Sequence, residues 1–285
     1  MIGRAWRLVK ANKAASASAA FLTLVLVAAV LAPWLAPYDP AGQDLAATRE
    51  APSWRHPLGT DSRGADVLSK VIYGARPTLV IAVCVSLSTV VIGFLLGIAA
   101  GYTGKWIDAA LMRAVDVMLA FPELLLNIIL VAVLGAGMTS LFLALTLSGW
   151  AGVARIARGL MLSLAGREYV LSARALGAGA AGIVFRHVIP NCASTMIVVA
   201  AMRMGTTVLA AAGLSYLGFG GSSDSNSWGV MVSAGQYEIV TAWWWPFFPA
   251  TAIALTVLSF NLLADAARDL LDPRALARPV GPAAA

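Results

Sequence analysis

Six apolar runs of about 20 residues, the length at which a helix crosses a hydrocarbon layer, constrain this chain most: 17–35, 79–101, 109–134, 138–160, 188–212 and 246–264. A water-soluble domain keeps roughly a quarter of its residues charged, whereas this chain is 60% hydrophobic and 12% charged over 285 residues. One core could not bury so much apolar surface. The expected fold class is an all-α integral membrane protein with six transmembrane helices, both termini on one side.

The net charge of +6 would suggest nucleic acid in a soluble protein, but no basic face interleaved with aromatics occurs, so a nucleic-acid partner is not expected. The basic residues instead read as topology. Arg4, Arg7, Lys10 and Lys13 precede the first run without an acid, and the segment between the fourth and fifth runs carries Arg155, Arg158, Arg167, Arg174 and Arg186 with Glu168 as its sole acid. Lys105, Arg268, Arg274 and Arg278 fall on the same side if the N-terminus is inside, which makes 13 inward basic residues against five outward, Arg49, Arg55, Arg63, Lys70 and Arg76. Basic residues concentrate in cytoplasmic loops. Both termini are therefore expected in the cytoplasm, and the first run, which lacks a small-residue cleavage site, reads as a retained span.

Residues 38–76 read as an ordered outer loop, since five acids balance their five bases. The 213–245 connection is acidic and ends in Trp243, Trp244 and Trp245, which are expected at the lipid interface, where indoles prefer to sit. Cys84 and Cys192 read as packing residues, because two cysteines in separate spans make neither a disulfide framework nor a metal cluster. Met196, Met202 and Met204 likewise read as gap fillers. No metal site is expected.

Two groups of residues carry chemistry. Residues 168–176 are good helix formers, Gly177 permits a turn, and a second short helix is expected over 180–187 before Pro190 at the foot of the fifth span. Such a hairpin presents a face to another protein, or serves as a plain amphipathic connector. Within the spans, Arg113, Asp116, Glu123 and Asn127 follow one another at offsets of three, seven and four, near one helix face, with Pro122 loosening the hydrogen-bond ladder. Ionisable groups at membrane depth avoid lipid. Asp116, Glu123, Asn127 and Arg203 are thus candidates for a polar translocation path. The alternative is a structural network, with Arg113 pairing to Asp116 and Arg203 meeting Glu123.

Residues 165–190 resemble the coupling loop of bacterial ABC-importer permeases. Ala173, Gly177, Ile183 and Pro190 match its pattern, Leu171 and Ser172 stand where the pattern has Glu and Ala, and Glu168, Arg174 and Arg186 supply charge beside it. The run from His56 to Arg76, Asp116-Val117-Met118-Leu119-Ala120-Phe121-Pro122, Gly213-Leu214-Ser215-Tyr216-Leu217-Gly218, Ser227-Trp228-Gly229 and the ending from Phe260 to Arg274 are similar to the C-type permease of the dipeptide, oligopeptide and nickel branch.

The resemblance implies a type I importer permease in the bacterial inner membrane: an N-terminal part over 1–76, a five-helix permease core over 77–268 and a cytoplasmic tail over 269–285. It implies a related second permease as heterodimer partner, two ATPase subunits docked on the cytoplasmic loops, which in this chain means residues 165–190, an extracytoplasmic substrate-binding protein, and a small peptide as cargo, with glutathione or nickel as alternatives. ATP closure of the ATPases would push the hairpin as a lever. No G-x-x-x-x-G-K-[ST] sequence occurs, so ATP and magnesium are expected on the partner subunits and no cofactor on this chain. An enzyme is disfavoured because its two histidines, His56 and His187, are expected on opposite membrane faces. A secondary transporter or channel would need its own energy-coupling site.

Overall fold

A computed structural model describes residues 13–221 and 226–271. Arg4, Arg7, Lys10, Asp224, Arg274, Arg278 and the tail beyond Leu271 lie outside the described residues. Helices account for nearly all regular structure: α1 (Lys13–Val30), α2 (Ala32–Leu35), α3 (Val67–Thr103), α4 (Lys105–Ala120), α5 (Glu123–Leu134), α6 (Met138–Ala165), α7 (Glu168–Ala175), α8 (Ala180–Ile183), α9 (Ile189–Leu214), α10 (Trp228–Gly235) and α11 (Trp244–Leu271). Five helical stretches are long and apolar enough to cross a membrane, and the bent pair α4–α5 makes a sixth if counted as one span.

The expected continuous third span does not exist. Helices α4 and α5 meet at 92°, because Phe121 is extended at φ −92°, ψ 140°, the region that a following proline favours. Asp116 and Glu123 consequently do not share a helix face.

The second span starts well before residue 79. Asp66 caps α3, its carboxylate accepting from the Ser69 N–H at 2.8 Å, and the 37-residue helix is about 55 Å long, so part of the expected outer loop is helix. Its charges are compensated: Lys70 reaches Asp61 at 2.5 Å, and Arg76 donates to the Ala29 carbonyl. Helix α3 packs along α6 through Gly93, Gly97 and Gly101. A Cβ at Gly97 would lie 2.3 Å from the Ala154 carbonyl oxygen, so the approach depends on small residues, as membrane helix pairs commonly do.

The fifth span also differs. Helix α8 runs through a π turn at Val184–Val188 into α9, with Pro190 in the first turn of α9. No break separates the expected second short helix from the span. Arg155 and Arg158 lie inside α6, not in the loop after it.

One end of the bundle is a cap formed by residues 36–66 and the 226–243 connection; the other end carries the 166–188 hairpin. The cap closes through indoles: Trp228 donates to the Val71 carbonyl at 2.8 Å and Trp244 to the Thr60 carbonyl at 3.1 Å. Trp244 and Trp245 are buried in a cluster with Val25, Val67 and Met231. The tryptophan run is therefore mostly protein core, and Trp243 alone of the three is exposed. Cys192 is buried, whereas Cys84 is exposed on α3 and fills no gap.

Candidate functional site

The hairpin is held by a buried side and offers an exposed one. Val170, Ile183 and Val188 are fully buried in a cluster with Met161 and Cys192, so α7 and the α8–α9 entry are pinned to the bundle. Glu168 lies in the first turn of α7 and Arg174 in its last, each sign matching the helix dipole. Helix α7 ends with the Gly177 N–H bonded to the Arg174 carbonyl at 3.1 Å and the Ala178 N–H bonded to the Ala173 carbonyl at 3.0 Å. This paired closure needs a left-handed residue, and Gly177 supplies it at φ +86°. The Tyr169 and His187 rings lie 5.9 Å apart across the hairpin.

Of the sequence-singled residues, Glu168, Leu171, Ser172, Arg174, Arg186 and Pro190 are exposed, Ala173 is half-buried and Ile183 is an anchor. Leu176 and Phe185 are 89% and 71% exposed. Neither stood out in the sequence, where a Leu and a Phe near apolar spans look like core; only the hairpin's geometry turns them outward.

The polar residues of the spans fall into two places. Asp116 lies on the surface of α4 and pairs with Arg155 of α6 at 2.5 Å, each side chain about half exposed. The expected Arg113 partner is replaced, because Arg155 approaches from the neighbouring helix. Asp108 is gripped by Arg158 through two bonds of 2.5 and 2.7 Å. Both pairs tie α4 to α6.

Glu123, Asn127 and Arg203 lie deeper. Arg203, midway along α9, reaches Glu123 at 3.4 Å and donates to the Gly149 carbonyl of α6. Gly149 is a notch, since a Cβ there would lie 2.5 Å from the guanidinium. Glu123 opens α5 immediately after the break, where Pro122 offers no side-chain cap. Asn127 follows one turn on, fully buried, with neither amide atom paired to protein; Thr89 and Thr146 have buried hydroxyls in the same state. Gly149 could have been found only by knowing what lies opposite it. Among the described residues no group of His, Cys, Asp and Glu is arranged to hold a metal.

Comparison with known proteins places the chain in a family. Residues 93–276 match the family model described as the binding-protein-dependent transport system inner membrane component. Residues 1–52 match the N-terminal TM domain of oligopeptide transport permease C. The chain is 39% identical to the dipeptide transport system permease protein of Bacillus subtilis, over 95% of this chain and 85% of that protein. It is 36% identical to the di/tripeptide transport system permease protein of Pseudomonas aeruginosa, over 94% and 91%. It is 39% identical to the glutathione transport system permease protein of Pectobacterium atrosepticum, over 94% and 90%. With apolar spans, a broken third span and an exposed hairpin as its framework, the chain belongs to the family of binding-protein-dependent transport system inner membrane components.

Proposed function

We propose that this chain is one of two permease subunits in an ATP-driven importer of di- and oligopeptides, working by alternating access and performing no catalysis itself. The observation that carries this reading is the hairpin. A rigidly anchored loop that leaves Leu176 and Phe185 exposed beside Arg167, Arg174 and Arg186 suits a protein partner better than water or lipid. In this reading one of two ATPase subunits docks there and the other on the second permease, Glu168, Leu171, Ser172, Ala173, Arg174, Gly177, Ile183, Arg186 and Pro190 form the coupling loop, and ATP and magnesium belong to those partners. The termini and the hairpin face the cytoplasm. The cap faces outward and receives the loaded binding protein, and a related second permease completes the path.

Mechanistically, ATPase closure moves α7 and α8, and the π turn at Val184–Val188 transmits that motion into α9 without an intervening joint. Arg203 rides on α9 and Glu123 on α5, so a shift of α9 alters their contact and biases one of two bundle arrangements. Asp116, nearer the hairpin, lines the inner approach to the path.

The test is co-expression with the neighbouring transporter genes and purification through a tag on this chain. Two ATPase subunits and a second permease should co-purify, and the complex in proteoliposomes should take up peptide only with ATP and loaded binding protein. Uptake by the purified chain alone would overturn the reading. The 39% identity to a glutathione permease favours glutathione as the second cargo, and the same uptake assay with the binding protein loaded with glutathione decides between them.

A further inference from the structure

The ion pairs of this chain are not alike. Arg158 and Asp108 are joined by two short bonds between partly shielded groups. Arg203 and Glu123 share one contact of 3.4 Å, and the Glu123 side chain is 55% exposed. A guanidinium has five donors, and the contacts seen use the Gly149 carbonyl and one Glu123 oxygen. A charge brought to mid-span carries a desolvation cost, which one long contact offsets poorly. The pair is badly built as a fastener.

A second feature lies beside it. Asn127, one turn from Glu123 on α5, has a primary amide that donates and accepts, yet it is fully buried with neither atom paired. Buried polar groups are normally bonded. A carboxylate, a guanidinium and an amide are thus gathered where the third span breaks, and α5 there begins with N–H groups that have no carbonyl one turn below.

We infer that Glu123, Asn127 and Arg203 form a transient receptor for the free ends and the backbone amide of a small peptide in passage. The inference rests on the peptide-import reading above and names the atoms involved. The peptide carboxylate replaces Glu123 on Arg203, Glu123 takes the peptide ammonium, and Asn127 pairs with a peptide bond as α5 shifts and uncovers it. The exchange puts a carboxylate where a carboxylate was. A zwitterion adds no net charge to the site, so neither Arg203 nor Glu123 is left uncompensated. Gly149 keeps room for the guanidinium fork that bidentate binding requires.

The test uses the whole complex in proteoliposomes, with binding protein preloaded at saturation with carbon-14-labelled alanine peptides of two to five residues, so that receptor affinity drops out. ATP turnover and peptide taken up per ATP are both measured. In Arg203→Gln and Glu123→Gln the peptide taken up per ATP hydrolysed should fall at least about tenfold, whatever the turnover. Arg203→Lys, which keeps charge without the fork and is the safer variant for assembly, should lose about threefold or more. Uptake per ATP unchanged in the variants, or turnover and uptake falling together as for a merely structural pair, would overturn the inference. A wild-type complex that hydrolyses ATP yet takes up none of the peptides would instead remove the peptide reading, and this site with it.

Discussion

Arg49 and Glu238, 189 residues apart, are joined by two hydrogen bonds of 3.0 and 2.6 Å that clamp the 36–66 segment onto the 226–243 connection. The bonds from Arg49, then from Thr241, hold the Glu238 carboxyl below its ordinary value of 4.5. A depressed carboxylate contributes stability that is fully present above its unfolded value and lost as pH falls through the folded one. The clamp should therefore weaken only below about pH 4.5. Glu238→Gln should flatten the acid side of the thermal-midpoint profile of the detergent-solubilised complex and leave the neutral side nearly unchanged; an equally steep acid limb in the variant would rule the clamp out.

Gly97 sits where α3 and α6 touch. A Val there drives Cβ onto the Ala154 carbonyl and the Ala157 side chain, 2.3 and 2.6 Å away, and overpacking of this kind costs about 1–3 kcal/mol. Gly97→Val should lower the melting midpoint by several degrees and reduce the yield of folded complex in size-exclusion chromatography. Gly152→Val, on α6 with open space at its Cβ, should do neither.

Gly177 has room for a side chain but holds φ +86°, so a Val there pays for backbone strain of about 1–2 kcal/mol. The α7 closure should loosen while the spans remain intact. Peptide uptake should fall several-fold with membrane abundance unchanged by immunoblot. Normal uptake would mean that the shape of this turn is irrelevant to coupling.

Leu176 is almost wholly exposed, and its replacement by Asp leaves the bundle untouched. The permease pair should assemble as before, while the ATPase subunits recovered with it drop at least about fivefold, as expected when a charge enters an apolar contact. Full recovery would place the docking surface elsewhere.

The spans were legible because length and hydropathy alone decide whether a helix can cross. Their directions were not. A Phe-Pro step inside an apolar run reads like the tolerated prolines of membrane helices, and Pro77 and Pro249 are such cases, each lying within an unbroken helix. At Phe121-Pro122 the same chemistry gives a right angle. The early start of α3 was hidden because Lys70 and Arg76 look like loop charges until Asp61 and the Ala29 carbonyl are seen to receive them. The hairpin turn could be read because it depends on local residues and one glycine. The Arg203–Glu123 pair could be named only as an option, since its partners come from helices 80 residues apart and its seat is one of 26 glycines.

The right angle between α4 and α5 changes how motion passes through the third span. A straight helix pushed from one end behaves as a piston and moves its far end along the same line. Two rigid arms meeting at 92° behave as a bell crank: a displacement along α4 emerges as a sideways sweep of α5, whose 12 residues make an arm of about 18 Å. Asp108 and Asp116 grip α6 along the first arm, Glu123 and Asn127 ride at the start of the second, and Phe121-Pro122 is the pivot. A push along α4 would therefore carry Glu123 and Asn127 across the bundle instead of along it.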